Sequence, residues 1–192
     1  MDYKPKLRFP EFSGEWEEIQ LNKLLSFKNG LNASKEKYGR GTKFINVSDI
    51  LKNDFLTYSN IEGYVEVSKE QFENYLVSYG DVLFQRSSET RDEVGTSNVY
   101  LDPEVDCVFG GFVIRGRKID EYEPFFLKEL LTTSSVRKEI TSRRGGSTRY
   151  NIGQESLKTV KINIPSIQEQ KKIASFLSQI DRKIVLLETN FC

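Results

Sequence analysis

A proline near the end of the chain divides it into two parts with different rules. Val160, Ile162 and Ile164 alternate with Lys161 and Asn163, the two-residue period of a half-buried strand. Pro165 ends that strand, because it has no amide to give to a ladder. Ser166 and Glu169 then spell an S-x-x-E capping box, in which each side chain satisfies a backbone amide at a helix start. Behind it Ile173, Leu177, Ile180, Ile184, Leu187 and Phe191 recur at spacings of 4, 3, 4, 3 and 4. That is the a/d seam of a coiled coil. The same stripe would serve an amphipathic helix lying on its own domain. Arg182 and Lys183 beside it favour a partner helix, so a long pairing helix is predicted from about Ser166.

Upstream, residues 1–15 read as an extended, proline-punctuated arm, with Leu7, Phe9 and Phe12 as the packing residues that tie it down. Ile19, Leu21, Leu24 and Leu25 predict a short strand and turn leading to Phe27. Residues 28–43 hold three glycines and read as a long exposed loop. Phe44, Ile45 and Val47 predict a strand, closed by Asp49 and Ile50. Ser68 and Gln71 form a second capping box, opening a short helix through about Asn74. After the turn Tyr79-Gly80-Asp81, Val82-Leu83-Phe84 is a short apolar strand that delivers 85–91 into a polar loop. Strands at 97–100, 105–109 and 112–115 follow, with Gly110-Gly111 as a bulge or kink. Pro124 opens a helix with Phe126, Leu127, Leu130 and Leu131 on its apolar face. A second helical stretch is predicted near 136–140.

Hydrophobic content of 38%, with 13 Phe and 9 Tyr, marks a folded domain, and 192 residues are enough to bury a real core. The 28 basic and 28 acidic residues cancel, so no global field draws nucleic acid. Locally the charges segregate. Basic residues crowd 23–43 and 136–161, while the acidic excess lies across 49–73, a weak pointer to an anionic partner on one side. The chain has no histidine, which excludes histidine triads, H-E-x-x-H sites and Cys/His zinc sites. Cys107 and Cys192 show no ligand spacing, and Cys107 reads as a small buried apolar residue. No apolar run approaches 18 residues and no signal pattern opens the chain, so a cytoplasmic location is expected.

No constellation reads as an active site. There is no D…[DE]-x-K cluster, no phosphate-binding G-x-x-x-x-G-K-[ST] loop and no G-x-G-x-x-G fingerprint. Asn163-Ile164-Pro165-Ser166 lacks the second proline and the aromatic of an adenine-methyltransferase motif. The loop at 143–150 is different. Gly145 and Gly146 let the backbone approach a ligand closely, and Arg143, Arg144 and Arg149 supply planar donors for phosphates or guanine edges. Ser147 and Thr148 add neutral donors. A solvated basic turn would have the same composition. From the residues alone, a DNA reader and a protein–protein adaptor acting through the helix both remain open.

Five stretches, in order, resemble the specificity subunits of type I restriction–modification systems. They are P-K-L-R-F-P-E-F-S-G-E-W at 5–16, G-D-V-L-F-Q-R at 80–86, F-G-G-F-V-I-R at 109–115, G-G-S-T-R-Y-N-I at 145–152 and I-P-S-I-Q-E-Q-K-K-I-A at 164–174. The resemblance implies an α/β (α+β) target-recognition domain at 1–164, with a curved, mostly antiparallel sheet and short helices. A long coiled-coil helix at 165–192 would follow it. It implies a non-catalytic subunit, without a cofactor of its own, that reads one half of a bipartite double-stranded DNA target. Methyltransferase subunits using S-adenosylmethionine, and a restriction subunit driven by ATP and Mg, would assemble around it. The expected DNA-facing set is Lys28, Asn29, Lys35, Arg40, Lys43, Arg86, Ser87, Ser88, Arg91, Arg143, Arg144, Ser147, Thr148, Arg149 and Tyr150. Ile173, Leu177, Ile180, Ile184 and Leu187 would form the partner-helix interface, through which the chain is expected to self-associate. Members of the family usually carry two recognition domains and two long helices. One of each is read here, so a half subunit or a truncated chain is expected.

Overall fold

The computed structural model describes residue 5 and residues 7–146 and 149–190. In chain order the first elements are β1 (Glu17–Gln20), β2 (Leu25–Asn29), β3 (Tyr38–Ile45), α1 (Val47–Lys52), β4 (Tyr64–Val65), α2 (Lys69–Asn74) and β5 (Leu76–Val77). The middle of the chain adds β6 (Val82–Gln85), β7 (Ser87–Ser88), β8 (Ser97–Val99), β9 (Cys107–Phe109) and β10 (Val113–Lys118). It closes with α3 (Pro124–Thr132), α4 (Ser134–Ser142), β11 (Tyr150–Asn151), α5 (Gln154–Lys158), β12 (Lys161–Ile164) and α6 (Ile167–Asn190). The strands form a central sheet β2-β10-β6-β8, a second sheet β4-β3-β9-β5 and the ribbons β1-β12 and β7-β11. Among the described residues the named strands all pair antiparallel except β3 with β9, so the mixed α/β class and the mostly antiparallel pairing read from the sequence hold. No helix among the described residues is long and apolar enough to cross a membrane.

The central strand β6 explains the layering. Its four residues are all buried, and Val82-Leu83-Phe84 is the continuous apolar run of a strand covered on both faces. Val82 and Phe84 enter one core with Leu127, Leu130 and Leu131 of α3 and Val136 and Ile140 of α4. Leu83 points the other way, into a core with Ile45, Val77, Cys107 and Phe109 of the second sheet. Helices, central sheet and second sheet thus stack as three layers. Asp81, just before β6, is buried and locks the turn: it accepts from the Ser78 and Lys118 amides at 3.1 and 3.2 Å and pairs with Arg117 at 3.0 Å. Burial raises its carboxyl, and Arg117 opposes that rise. The G-D of this stretch is therefore a folding device.

Cys107 is fully buried, as expected, and burial pushes its thiol well above the ordinary range. It will resist alkylation in the native protein and react only on unfolding, since the thiolate is the nucleophile. Peptide mass spectrometry after iodoacetamide treatment, with and without denaturant, checks this; modification of Cys107 at native speed would mean the second core opens. Cys192 lies outside the described residues.

Three expectations for the chain path are corrected. Residues 28–43 are not one loop: Lys28 and Asn29 end β2, and 38–43 begin β3. Val47, Asp49 and Ile50 belong to α1, which Asn46 and Asp49 cap, and do not extend the strand. Leu7 is 91% exposed and does not tie the arm down; Phe9 does, stacking edge-on against Phe176 of α6 at 5.7 Å.

The root of α6 differs from the expected reciprocal box. Ser166 Oγ accepts from the Glu169 amide at 3.4 Å, one half of it. The buried Glu169 carboxylate instead receives Arg8 of the arm through two bonds of 2.7 Å, the fork geometry that suits guanidinium to carboxylate. Gln170, also buried, donates to the Pro165 carbonyl at 2.9 Å and accepts from the Glu123 amide at the start of α3. The first turns of the helix thus belong to the domain. Ala174 is buried in the main core and Ile173 packs against it.

Candidate nucleic-acid interface

One end of the central sheet gathers most of the polar loops. The amide of Gly30, just past β2, donates to Val113 O at the start of β10 at 3.1 Å. Arg86, just past β6, donates from its amide to Phe112 O at 2.9 Å and from Nη1 to Gly111 O at 3.3 Å. Its own carbonyl accepts from Ile152 at 3.0 Å, beside the Tyr150↔Ser88 and Asn151↔Ser87 pairs of the β7-β11 ribbon. Segments 29–32, 86–95, 110–112 and 149–151 therefore converge although the chain separates them widely. The root of α6 lies at the other end of the sheet, where Lys118 meets Asp81 and Glu123 meets Gln170.

The 143–151 loop closes on itself. Gly145 and Asn151 exchange two backbone bonds of 2.9 Å. Gly146 has φ +94°, and a Cβ there would fall 2.1 Å from Arg149 O. Its glycine serves this turn, not the approach of a ligand. Ser147 and Thr148 lie outside the described residues.

The expected cations sort into held and free. Arg143 pairs with Glu139 and donates to Thr159 Oγ1 at 2.9 Å. Arg144 donates to Thr141 O at 2.6 Å and lies 5.4 Å above the Tyr150 ring. Arg40 pairs with Glu66 at 3.1 Å. Lys43 donates to Ile61 O at 2.6 Å with its ammonium 4.3 Å above the Tyr64 ring. Lys28 donates to Asn74 and sits over Tyr75; burial lowers its pKa, with Arg115 and Arg117 adding to the shift. Ser88 is buried and donates to Glu93 at 2.9 Å, so it is held inward. Ser87 Oγ donates to Asn151 Oδ1. Arg91 and Arg149 are exposed and make no side-chain hydrogen bond or ion pair among the described residues, and the same holds for Lys35.

Two residues absent from the expected set matter here. Arg137 of α4 reaches across to the carbonyls of Gly95, Asp92 and Val94 at 2.6, 2.7 and 2.9 Å, and so fixes the loop that carries Arg91. Phe112 is not the first residue of a strand. It sits on the turn before β10 and is 62% exposed. Among the described residues no group of three or more acidic, cysteine or histidine side chains could hold a metal.

On α6 the expected seam divides. Ile173 is taken up by the domain and Leu177 is half-buried, whereas Ile180, Ile184 and Leu187 are 38%, 47% and 59% exposed. The exposed apolar stripe thus starts at about Ile180, and Ile173 packs against the domain core.

The molecule is thus a layered α/β domain with converging polar loops at one end of its central sheet and a projecting helix at the other. Residues 13–190 match the type I restriction modification DNA specificity domain, and the chain belongs to that family. It is 28% identical over 186 residues to a putative type I restriction enzyme MjaX specificity subunit of Methanocaldococcus jannaschii, spanning 93% of this chain and 42% of that protein. It is 31% identical over 120 residues to the type I restriction enzyme StySPI specificity subunit of Salmonella potsdam, spanning 60% of this chain and 26% of that one. The fold is also that of the HsdS subunit from Thermoanaerobacter tengcongensis, with a TM-score of 0.63 at 21% identity over 97% of this chain and 41% of that one. A chain from a type I R-M system studied for complex assembly and conformational transition gives a TM-score of 0.67 at 22% identity, over 98% and 43%. The chain thus spans less than half the length of these relatives, of which the two curated ones are named specificity subunits.

Proposed function

We propose that this chain reads one half of a bipartite double-stranded DNA target and docks methyltransferase subunits and a second recognition unit through α6. One observation carries the reading. Arg91 and Arg149 have no hydrogen-bond or ion-pair partner among the described residues and stand on loops that meet at the end of the sheet opposite the helix root. Unpaired guanidinium groups held on converging loops suit phosphates and guanine edges. Asn29, Arg86, Ser87 and Tyr150 belong to the same converging segments, with Arg86 and Ser87 also bonded to Gly111 and Asn151, and Lys35 is exposed just before β3. Arg143, Arg144, Arg40 and Lys43 play a structural part first, because each is already held by the protein. The half-target reading rests on length, since relatives such as the MjaX subunit have room for two such units. Methyl transfer with S-adenosylmethionine, and restriction with ATP and Mg, belong in this reading to partner subunits. On the same reading the protein works in the cytoplasm, where its DNA is.

Salt titration of duplex binding tests the proposal. A DNA reader loses affinity steeply as salt rises, because each neutralised phosphate releases counterions. A flat dependence would leave the adaptor reading, in which α6 alone is the functional surface. Arg91→Ala and Arg149→Ala each have two permitted outcomes. An arginine that touches only phosphate should, when removed, shallow the salt slope by about one. An arginine bonded to guanine should instead cost roughly 1–3 kcal/mol at one base pair and relax the preference there. If both variants bind every duplex as the parent does, these arginines do not face DNA.

A further inference from the structure

We propose that Phe112 and Asn32 together read one A·T pair, Phe112 packing on the thymine C5-methyl and the Asn32 amide bonding the adenine in the major groove. The inference rests on the DNA-reading proposal and goes on to name a base pair and the two side chains that select it.

Phe112 is the most exposed aromatic side chain among the described residues. The turn that carries it is held through its backbone. Gly110 donates to Ile45 O at 3.0 Å, Val113 donates to Gly110 O at 2.9 Å, and Phe112 O accepts from the Arg86 amide at 2.9 Å. The flanking glycines are needed for close approach, not for a left-handed backbone. A Cβ at Gly110 would lie 2.8 Å from the Phe44 ring, and one at Gly111 would lie 1.9 Å from Asn32 Oδ1. The Asn32 amide therefore stands against the residue preceding Phe112, with Oδ1 nearest it, and lines a cleft of about 180 Å³ together with Phe112. Asn32 is exposed and its side chain makes no hydrogen bond among the described residues.

The result is an exposed apolar ring beside an exposed amide that makes no hydrogen bond among the described residues. Asparagine bonds adenine N6 and N7 in a bidentate manner, and the only apolar group on the major-groove edge of the paired base is the thymine methyl. Folding does not require either side chain to face water, and each matches one half of the same base pair.

The test uses the full chain and a duplex enriched by it from a random-sequence pool. Each thymine of that duplex is replaced in turn by deoxyuridine, which lacks only the methyl. At one position the parent should lose about fourfold in affinity, the transfer value of one methyl group. Phe112→Ala should bind the thymine and deoxyuridine duplexes alike at that position, and Phe112→Leu should restore most of the difference. Asn32→Ala should lose about tenfold or more of the discrimination for adenine at the same pair. Unchanged thermal midpoints of all three variants confirm that the fold is intact. If Phe112→Ala leaves affinity unchanged, or lowers it equally on thymine and deoxyuridine everywhere as a stacking wedge would, the assignment is overturned while the DNA-reading proposal stands. A parent chain that enriches no sequence overturns both.

Discussion

A chain carrying Ile180→Lys and Ile184→Lys together will sediment as a monomer at concentrations where the parent chain pairs through α6. The parent presents Ile180, Ile184 and Leu187 to water on one stripe, and monomeric proteins seldom leave such stripes uncovered. Full burial of an isoleucine contributes about 1.5–3 kcal/mol, and a twofold interface counts each position twice. Two charged replacements should therefore weaken self-association by at least about a hundredfold, since 1.4 kcal/mol is tenfold. Leu177 is the wrong place to make the same test. It is half-buried at the level where Phe9 meets Phe176, so a charge there would disturb the domain as well as the pairing. A parent chain that is already monomeric at high concentration in analytical ultracentrifugation would remove self-pairing and leave docking to a different partner helix.

Phe84→Ala will be the most damaging single truncation in the central sheet. Phe84 is fully buried and lies between Phe27, 5.9 Å away, and the helices α3 and α4. Buried phenylalanine truncations cost about 3–5 kcal/mol through the forfeited transfer energy and the cavity left behind. For a domain of this size that corresponds to a fall of roughly 10 °C or more in the thermal midpoint. Leu7→Ala provides the contrast: at 91% exposure it should stay within about 0.5 kcal/mol of the parent. Circular dichroism melts of the two variants decide the matter. A Phe84→Ala protein that melts with its parent would mean that the sheet is not packed on its helical face.

What is legible in the sequence is local. The alternation of β12, the stop at Pro165, the Ser68–Gln71 box and Pro124 at the start of α3 each announce themselves within a few residues, and each stands where expected. The long stretch at 28–43 misleads because a glycine-rich strand resembles a loop. Gly39 and Gly41 take φ of +92° and +95°, and they bend β3 where its register on β4 shifts. The candidate site is legible only as a set of cations. Which of them are free is decided by partners far along the chain: Ile61 for Lys43, Glu66 for Arg40, Thr159 for Arg143. Phe112 is hidden for a related reason. Its place next to Val113 and Ile114 suggests a strand interior, while the glycines before it turn the chain outward against Asn32.

The strands that open and close the domain pair along their whole length, Glu17 opposite Ile164 and Gln20 opposite Lys161. Paired strands stand only about 5 Å apart, so the two junctions of the recognition unit form a single doorway. The point at which the chain enters the domain and the point at which it leaves for the helix are thereby fixed to each other by one short ribbon. The clamp between Arg8 and Glu169, and the stacking of Phe9 on Phe176, lie outside that doorway. They tie arm to helix by contacts that no residue of the sheets between β1 and β12 supplies, so the helix root is anchored twice over, once by the ribbon and once by the arm.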